Sequence, residues 1–237
     1  MNPHSLHRLA GLCGLAGALL FFAGDMLFYG YFGAGAGFIE GMHLTVKAAS
    51  LERLFAGGLV GPAAACLCIV GFWHVYRNVR SEAALAGRIM LASFFMLMVA
   101  GSAVHALWTA KGLAMKFCTG PVPDCATLRA AIQSYWTIAY NMGATPGYFG
   151  AAMLAILVVL GKTRYPRWTI LANPAALILL SPLAERVPSP IGAVLVGGSA
   201  NLAIAILFLV SCVTTWNTSP GEHAGPRVLH ELEVAAK

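Results

Sequence analysis

The sequence predicts an all-α transmembrane bundle of six spans with both ends in the cytoplasm. Its composition, the lengths of its apolar runs and the placement of lysine and arginine lead to that class. The 237 residues are 59% hydrophobic and only 10% charged, whereas an ordinary soluble domain carries about 25% charged residues. A soluble fold of this size could not cover its surface with so few charges. The length suits one bundle rather than two domains. The net charge of +6 does not indicate nucleic acid, because the basic residues cluster beside apolar runs as the positive-inside rule expects.

A helix needs roughly 20 mainly apolar residues to cross the hydrocarbon core. The first run, about 9–32, follows Arg8 and resembles a signal peptide at its start. Its hydrophobicity continues past Asp25 through Met26, Leu27, Phe28 and Tyr31, so it reads as an uncleaved span. Runs at about 54–76 and 89–109 follow. The fourth, about 132–161, contains Thr145-Pro146-Gly147, where proline removes a backbone donor and should kink the helix. The fifth, about 168–183, is short, carries Asn173-Pro174 near its start and stops at Ser181-Pro182. It is expected to be tilted, broken or re-entrant, which lipid permits only where protein covers the backbone. A long sixth run, about 191–216, precedes a polar cytoplasmic tail, 217–237.

With the N-terminus inside, nine basic residues fall in cytoplasmic segments: Arg8, Arg77, Arg80, Arg88, Lys162, Arg164, Arg167, Arg227 and Lys237. Six fall outside: Lys47, Arg53, Lys111, Lys116, Arg129 and Arg186. That bias sets the orientation and a location in the cell's inner (plasma) membrane. Cys118 and Cys125 flank a Pro/Gly-rich loop that the charge rule puts outside, where such a pair reads as a disulfide; free thiols or a metal pair are the alternatives. Cys13, Cys66, Cys68 and Cys212 lie inside apolar runs and read as small core residues.

Helices in lipid associate through small residues. Gly57/Gly61, Gly143/Gly147/Ala151 and Ala193/Gly197/Asn201 read as such seams. Trp73, Tyr76, Tyr165, Trp168 and Trp216 fall at the inner boundaries, where aromatic belts sit, and His74 shares that belt as an interfacial histidine. Gly61-Pro62-Ala-Ala-Ala and Asn173-Pro174-Ala-Ala-Leu hint at an inverted repeat, although their flanks do not align.

Ionisable residues in or beside spans are expensive and become functional candidates by default. Nearly all of them fall on the outer side. Asp25 lies about 24 Å along the first helix from Leu9, near the outer end of the hydrocarbon core. Glu40, His43 and Lys47 follow at a spacing that would put them on one helical face. Glu52 and Arg53 open the second span, and His105 and Trp108 close the third. Tyr135, Tyr140 and Asn141 lie in the outer half of the fourth. This distribution predicts a polar cavity opening toward the outer leaflet. Acid–base chemistry on a lipid needs a poorly solvated carboxyl and a partner, which Asp25 or Glu52 with His105 would supply. Glu40, His43, Arg53, Trp108, Tyr135, Tyr140 and Asn141 are the candidate substrate-binding residues. A metal set of Glu40, His43, His105 and Asp25 is weakly supported, because di-iron bundles repeat the Glu-x-x-His spacing. No metal and no cofactor is expected.

Gly24-Asp25-Met-Leu-Phe-Tyr-Gly30, Gly71-Phe-Trp-His74-Val-Tyr76 and His105-Ala-Leu-Trp108 resemble motifs of an uncharacterised family of small bacterial multi-pass membrane proteins. The resemblance spans most of the chain and implies no reaction. The leading expectation is an acid–base enzyme acting on a lipid or isoprenoid-like substrate, such as an isomerase, cyclase or hydrolase. A small transporter is the second reading. A non-catalytic subunit or sensor using the 111–130 outer loop is the third. Expected partners are membrane lipids and a hydrophobic small molecule rather than nucleic acid, and a homo-oligomer is one arrangement open to such a chain.

Overall fold

Capping side chains start the first two long helices. Asn2 Oδ1 accepts from His4 N, with Pro3 in the first turn, and α1 runs Pro3–Tyr29. Ser50 Oγ accepts from Arg53 N to open α3, Leu51–Arg77. Between them lies α2, Phe38–Ala48, with Met42 and Val46 buried and Glu40, His43 and Lys47 exposed. The computed structural model describes residues 2–30, 38–118, 123–188 and 190–217. A short 3-10 helix, Ser81–Ala83, leads into α4, Ala84–Phe117, and α5 runs Pro123–Val159, continuous through Pro146.

These helices extend further than the apolar runs alone suggest. Residues 111–117 and 123–131, expected in an outer loop, are the ends of α4 and α5. Lys, Leu, Ala and Met there are good helix formers, so the helix propagates past the hydrophobic stretch. Cys118 and Cys125 sit at disulfide distance across this junction, Cα–Cα 5.2 Å. The tip of the loop between them, 119–122, lies outside the described residues, as do 31–37 and the tail from 218 onward.

The last third departs most from six straight spans. Residues 167–184 form a 3-10 helix, Arg167–Ala172, then α6, Pro174–Ile178, and α7, Ser181–Ala184. The breaks coincide with Asn173-Pro174 and Ser181-Pro182. Asn173 holds the first break: its Oδ1 accepts from Ala175 N and its Nδ2 donates to Ala151 O at 2.8 Å. The expected helix 191–216 is in fact two, α8, Ile191–Gly197, and α9, Ser199–Thr215, bent by 77°. Gly198 marks the corner, and a Cβ there would run into the Phe22 ring of α1. Among the described residues, four helices are therefore long and apolar enough to span a membrane, and the bent pair makes a fifth candidate.

The main packing pairs are α1 with α3, α4 with α5, α3 with α4 and α1 with α9. Glycines set how closely α1 and α3 approach. A Cβ on Gly14 would lie 2.6 Å from Gly71 Cα, and one on Gly17 would lie 2.8 Å from Ala64 O. The Gly143/Gly147 seam likewise faces Ala100 and Leu97 of α4. Cys68 and Cys212 are buried as expected of core residues, whereas Cys66 is exposed.

The chain ends of the bundle meet. Arg8 Nε donates to Trp216 O at 2.8 Å, so the start of α1 and the end of α9 share one side. On that side Arg80 N donates to Lys162 O and Arg164 N to Asn78 O, tying the α3–α4 turn to the segment after α5. Enlarging the seam should separate the helices. Gly71→Leu is expected to destabilise the fold by about 1–3 kcal/mol through overpacking. Gly101→Ala, where a Cβ meets nothing within 4 Å, should not; thermal unfolding in detergent measures both.

Candidate functional site

Asp25 lies in the last turns of α1 and is only 5% exposed. A bare carboxylate in such surroundings would be costly, and here three donors answer it. Tyr29, one turn later, donates its hydroxyl to Oδ1. His105 Nε2 of α4 is 3.2 Å from the same oxygen. Asn201 Nδ2 of α9 donates to Oδ2 at 2.6 Å. A carboxylate has about four acceptor sites, so one on Oδ2 stays uncommitted to these donors. His105 Nδ1 faces Gly57 O at 3.5 Å.

Small residues make room for the imidazole. A Cβ on Gly61 would overlap His105 Cβ, and one on Gly24 would lie 3.2 Å from Cε1. Phe21 and Phe28 pack on the ring, with centroids 4.8 and 6.1 Å away. The proline of the Gly61-Pro62 pair falls inside α3 without ending it.

Asp25 and His105 line a largely apolar cleft of about 440 Å³. Its long walls are α4 and α5, and α6, α8 and α9 face them. Along α4 the lining runs from Phe94 to His105 and Trp108, about 21 Å at 1.5 Å per residue. One end is apolar, with Phe94, Leu97 and Ala151. The other is aromatic: Trp108 packs on Tyr29 at 5.4 Å and Trp136 at 5.8 Å, and Trp136 stacks on Tyr140 at 5.2 Å.

The expected site residues therefore divide. Asp25, His105, Trp108 and Tyr140 share the cleft. Glu52 is exposed at the start of α3, outside the lining, and so does not join the Asp25–His105 pair. Arg53 is a capping residue, donating from Nε to Leu27 O at 2.7 Å and from Nη2 to Met26 O at 3.1 Å, so that it braces the last turn of α1, where Met26 O also accepts from Gly30 N. Glu40 and His43 stand exposed on α2, and Tyr135 and Asn141 are exposed on α5. Among the described residues no three His, Cys, Asp or Glu side chains gather as a metal set. Asn201, expected only in a packing seam, and Tyr29 are the partners that the polar-residue pattern did not single out. The Asp-x-x-x-Tyr spacing on one helix was the available signal for Tyr29.

A second buried polar cluster occupies the opposite end. His74 is buried rather than interfacial. Its Nδ1 lies 2.9 Å from His7 O and its Nε2 2.9 Å from Ser211 Oγ, while the His7 ring stacks on it at 4.1 Å. Ser211 also bonds Tyr165 at 2.7 Å, and Asn78 Nδ2 donates to Tyr165. Burial pushes the Tyr165 phenol up from its ordinary value. Of the residues expected in an aromatic belt, Trp168 and Trp216 are exposed at this end, whereas Tyr165 is buried in this cluster.

Removing a donor from a buried charge should be felt. Asn201→Leu is expected to cost about 1–3 kcal/mol by leaving Asp25 Oδ2 unanswered. Glu52→Gln should stay within about 0.5 kcal/mol, as exposed substitutions do. Denaturation of the purified variants in one detergent compares the two.

No curated protein and no solved structure matches the chain. The model of a family of unknown function, DUF6796, matches residues 1–218. Nearly the whole chain is covered, and with its apolar, membrane-length helices this protein belongs to that family.

Proposed function

We propose that this protein is a membrane-embedded acid–base enzyme acting on a lipid or isoprenoid-like substrate held in the cleft. The observation that carries the reading is the Asp25–His105 pair on the wall of a largely apolar cleft. The volume lies within the range of small-molecule sites, which combine apolar walls with a few placed polar groups. Asp25 is the proton acceptor and His105 the partner that holds it. Tyr29 and Asn201 fix the carboxylate, leaving one Oδ2 lone pair for a substrate proton. Low local polarity strengthens every such contact.

The reading includes an orientation. The end with Arg8, Arg77, Arg80, Arg88, Lys162, Arg164 and Arg167 against Glu82 faces the cytoplasm of the plasma membrane, with six crossings. The Arg8–Trp216 contact supports this, since ends that share one side imply an even number of crossings. The broken segment 167–198 would be the outward fifth crossing, and the cleft's aromatic end would lie in the outer half of the bilayer. A cysteine at Arg129 is then expected to react with a membrane-impermeant maleimide in intact cells, and one at Glu82 to be shielded. The opposite pattern would reverse the orientation.

Transport is the second reading, favoured by the broken 167–184 segment and the bent α8–α9 pair, because irregular helices line the same cleft. Deuterium separates the two. Protein in nanodiscs, incubated in deuterated water with extracted cellular lipids, should place deuterium at one carbon-bound position of a lipid. Asp25→Asn and His105→Gln should lower that rate roughly 10²–10⁴-fold. Unlabelled lipids together with flux in proteoliposomes would instead support transport.

A further inference from the structure

Beside the cleft's aromatic end, packed on two of its lining rings but outside the lining itself, stands a cation with no anion among the described residues. Lys111 Nζ lies 4.2 Å from the Trp108 ring centroid and 4.4 Å from that of Trp136. Among the described residues the ion pairs are Asp25–His105 and Lys162–Glu82, so no carboxylate answers Lys111. Its neighbours are otherwise engaged. Lys116 donates to the carbonyls of Lys47 and Ala49, each at 2.8 Å, and Arg53 donates to those ending α1. Trp136, one of the two rings under Lys111, keeps its Nε1 buried with no partner among the described residues.

We propose that Lys111, between Trp108 and Trp136, is the headgroup site for an oxyanionic amphiphile whose apolar chain runs along α4 toward Phe94. An oxyanion supplies the charge that the ammonium lacks, with an indole ring on either side of the contact. Tryptophan faces hold the ammonium without neutralising it, because a cation–π contact leaves the charge in place. The polarity of the cleft fits one head and one chain. Its far end is walled by Phe94, Leu97 and Ala151, and His105 lies between, about 9 Å along α4 from Lys111. A head anchored at Lys111 therefore lays the first part of the chain beside Asp25 and His105. The inference rests on the cleft reading above and narrows its substrate class to phosphate- or carboxylate-headed lipids, excluding neutral sterols and alcohols.

The test uses three probes with one chain: tetradecyl phosphate, tetradecanol and tetradecyltrimethylammonium. Binding to the full chain in uncharged nanodiscs is read from tryptophan fluorescence and competition. Tetradecyl phosphate should bind roughly tenfold or more tightly than the alcohol, as a charge-assisted contact allows. Lys111→Met should erase that preference, and Lys111→Arg should retain it. Equal binding of phosphate and alcohol, or an unchanged preference in Lys111→Met, would overturn the headgroup site while leaving the cleft reading intact. Failure of all three probes to bind would remove the cleft reading itself, and with it the headgroup site. Inorganic phosphate matching the effect of tetradecyl phosphate would make this a free-anion site and overturn the amphiphile assignment. If Lys111→Met does not fold, the probe series on the native protein and on Lys111→Arg still decides.

Discussion

A carboxylate carried on an apolar helix has to find donors within the protein, and Asp25 finds one on its own helix, Tyr29, and two on neighbouring helices, His105 of α4 and Asn201 of α9. Removing one partner of a buried charged pair typically costs about 3–5 kcal/mol. That penalty constrains where His105 and Asn201 can lie, and so how α4 and α9 stand against α1. Glycine makes the arrangement sterically available. Gly24 and Gly61 clear space for the imidazole, and Gly14 and Gly71 let α1 and α3 meet backbone to backbone. The polar requirement and the small-residue seam act on the same helices, one fixing direction and the other fixing distance.

The two ends of the bundle use similar chemistry with different outcomes. At the His74 end, backbone and side-chain groups from α1, α3, α9 and the 163–165 segment close on one another. There the bonds knit loops and helix ends together. At the Asp25 end the cluster borders a cleft, and one carboxylate acceptor site remains uncommitted. α9 takes part in both, through Ser211 and Asn201. Its sharp turn from α8 at Gly198 carries it into position to do so.

Much of this was legible in the residues. Low charge and long apolar runs gave the membrane class, and the intramembrane Asp25 and His105 stood out because nothing cheap explains a carboxylate or imidazole there. Their pairing was legible only by type, since it depends on the approach of α1 and α4 across Gly24 and Gly61. Glu52, Glu40 and His43 were misleading for a physical reason: residues at a helix start or on an amphipathic α2 can be solvated, so their proximity in sequence to Asp25 imposes no meeting in space. Arg53 shows the same ambiguity. A basic residue near a helix end serves equally as a ligand group or as a cap for carbonyls, and here the carbonyls of Met26 and Leu27 take it. The corner at Gly198 was hidden because an apolar stretch reads the same whether straight or folded back.

The central claim is that an amphiphile lies inside the cleft, against Asp25 and His105, rather than only around the bundle. Photo-crosslinking with a diazirine-bearing alkyl phosphate, mapped to single residues by mass spectrometry, tests it most directly. The account predicts adducts on the cleft-lining Leu97, Met98, Ala144 and Ile204, suppressed by unlabelled tetradecyl phosphate. Adducts confined to Met96, Val99, Met142 and Phe149, which are exposed on the outside of α4 and α5 and absent from the cleft lining, would contradict it.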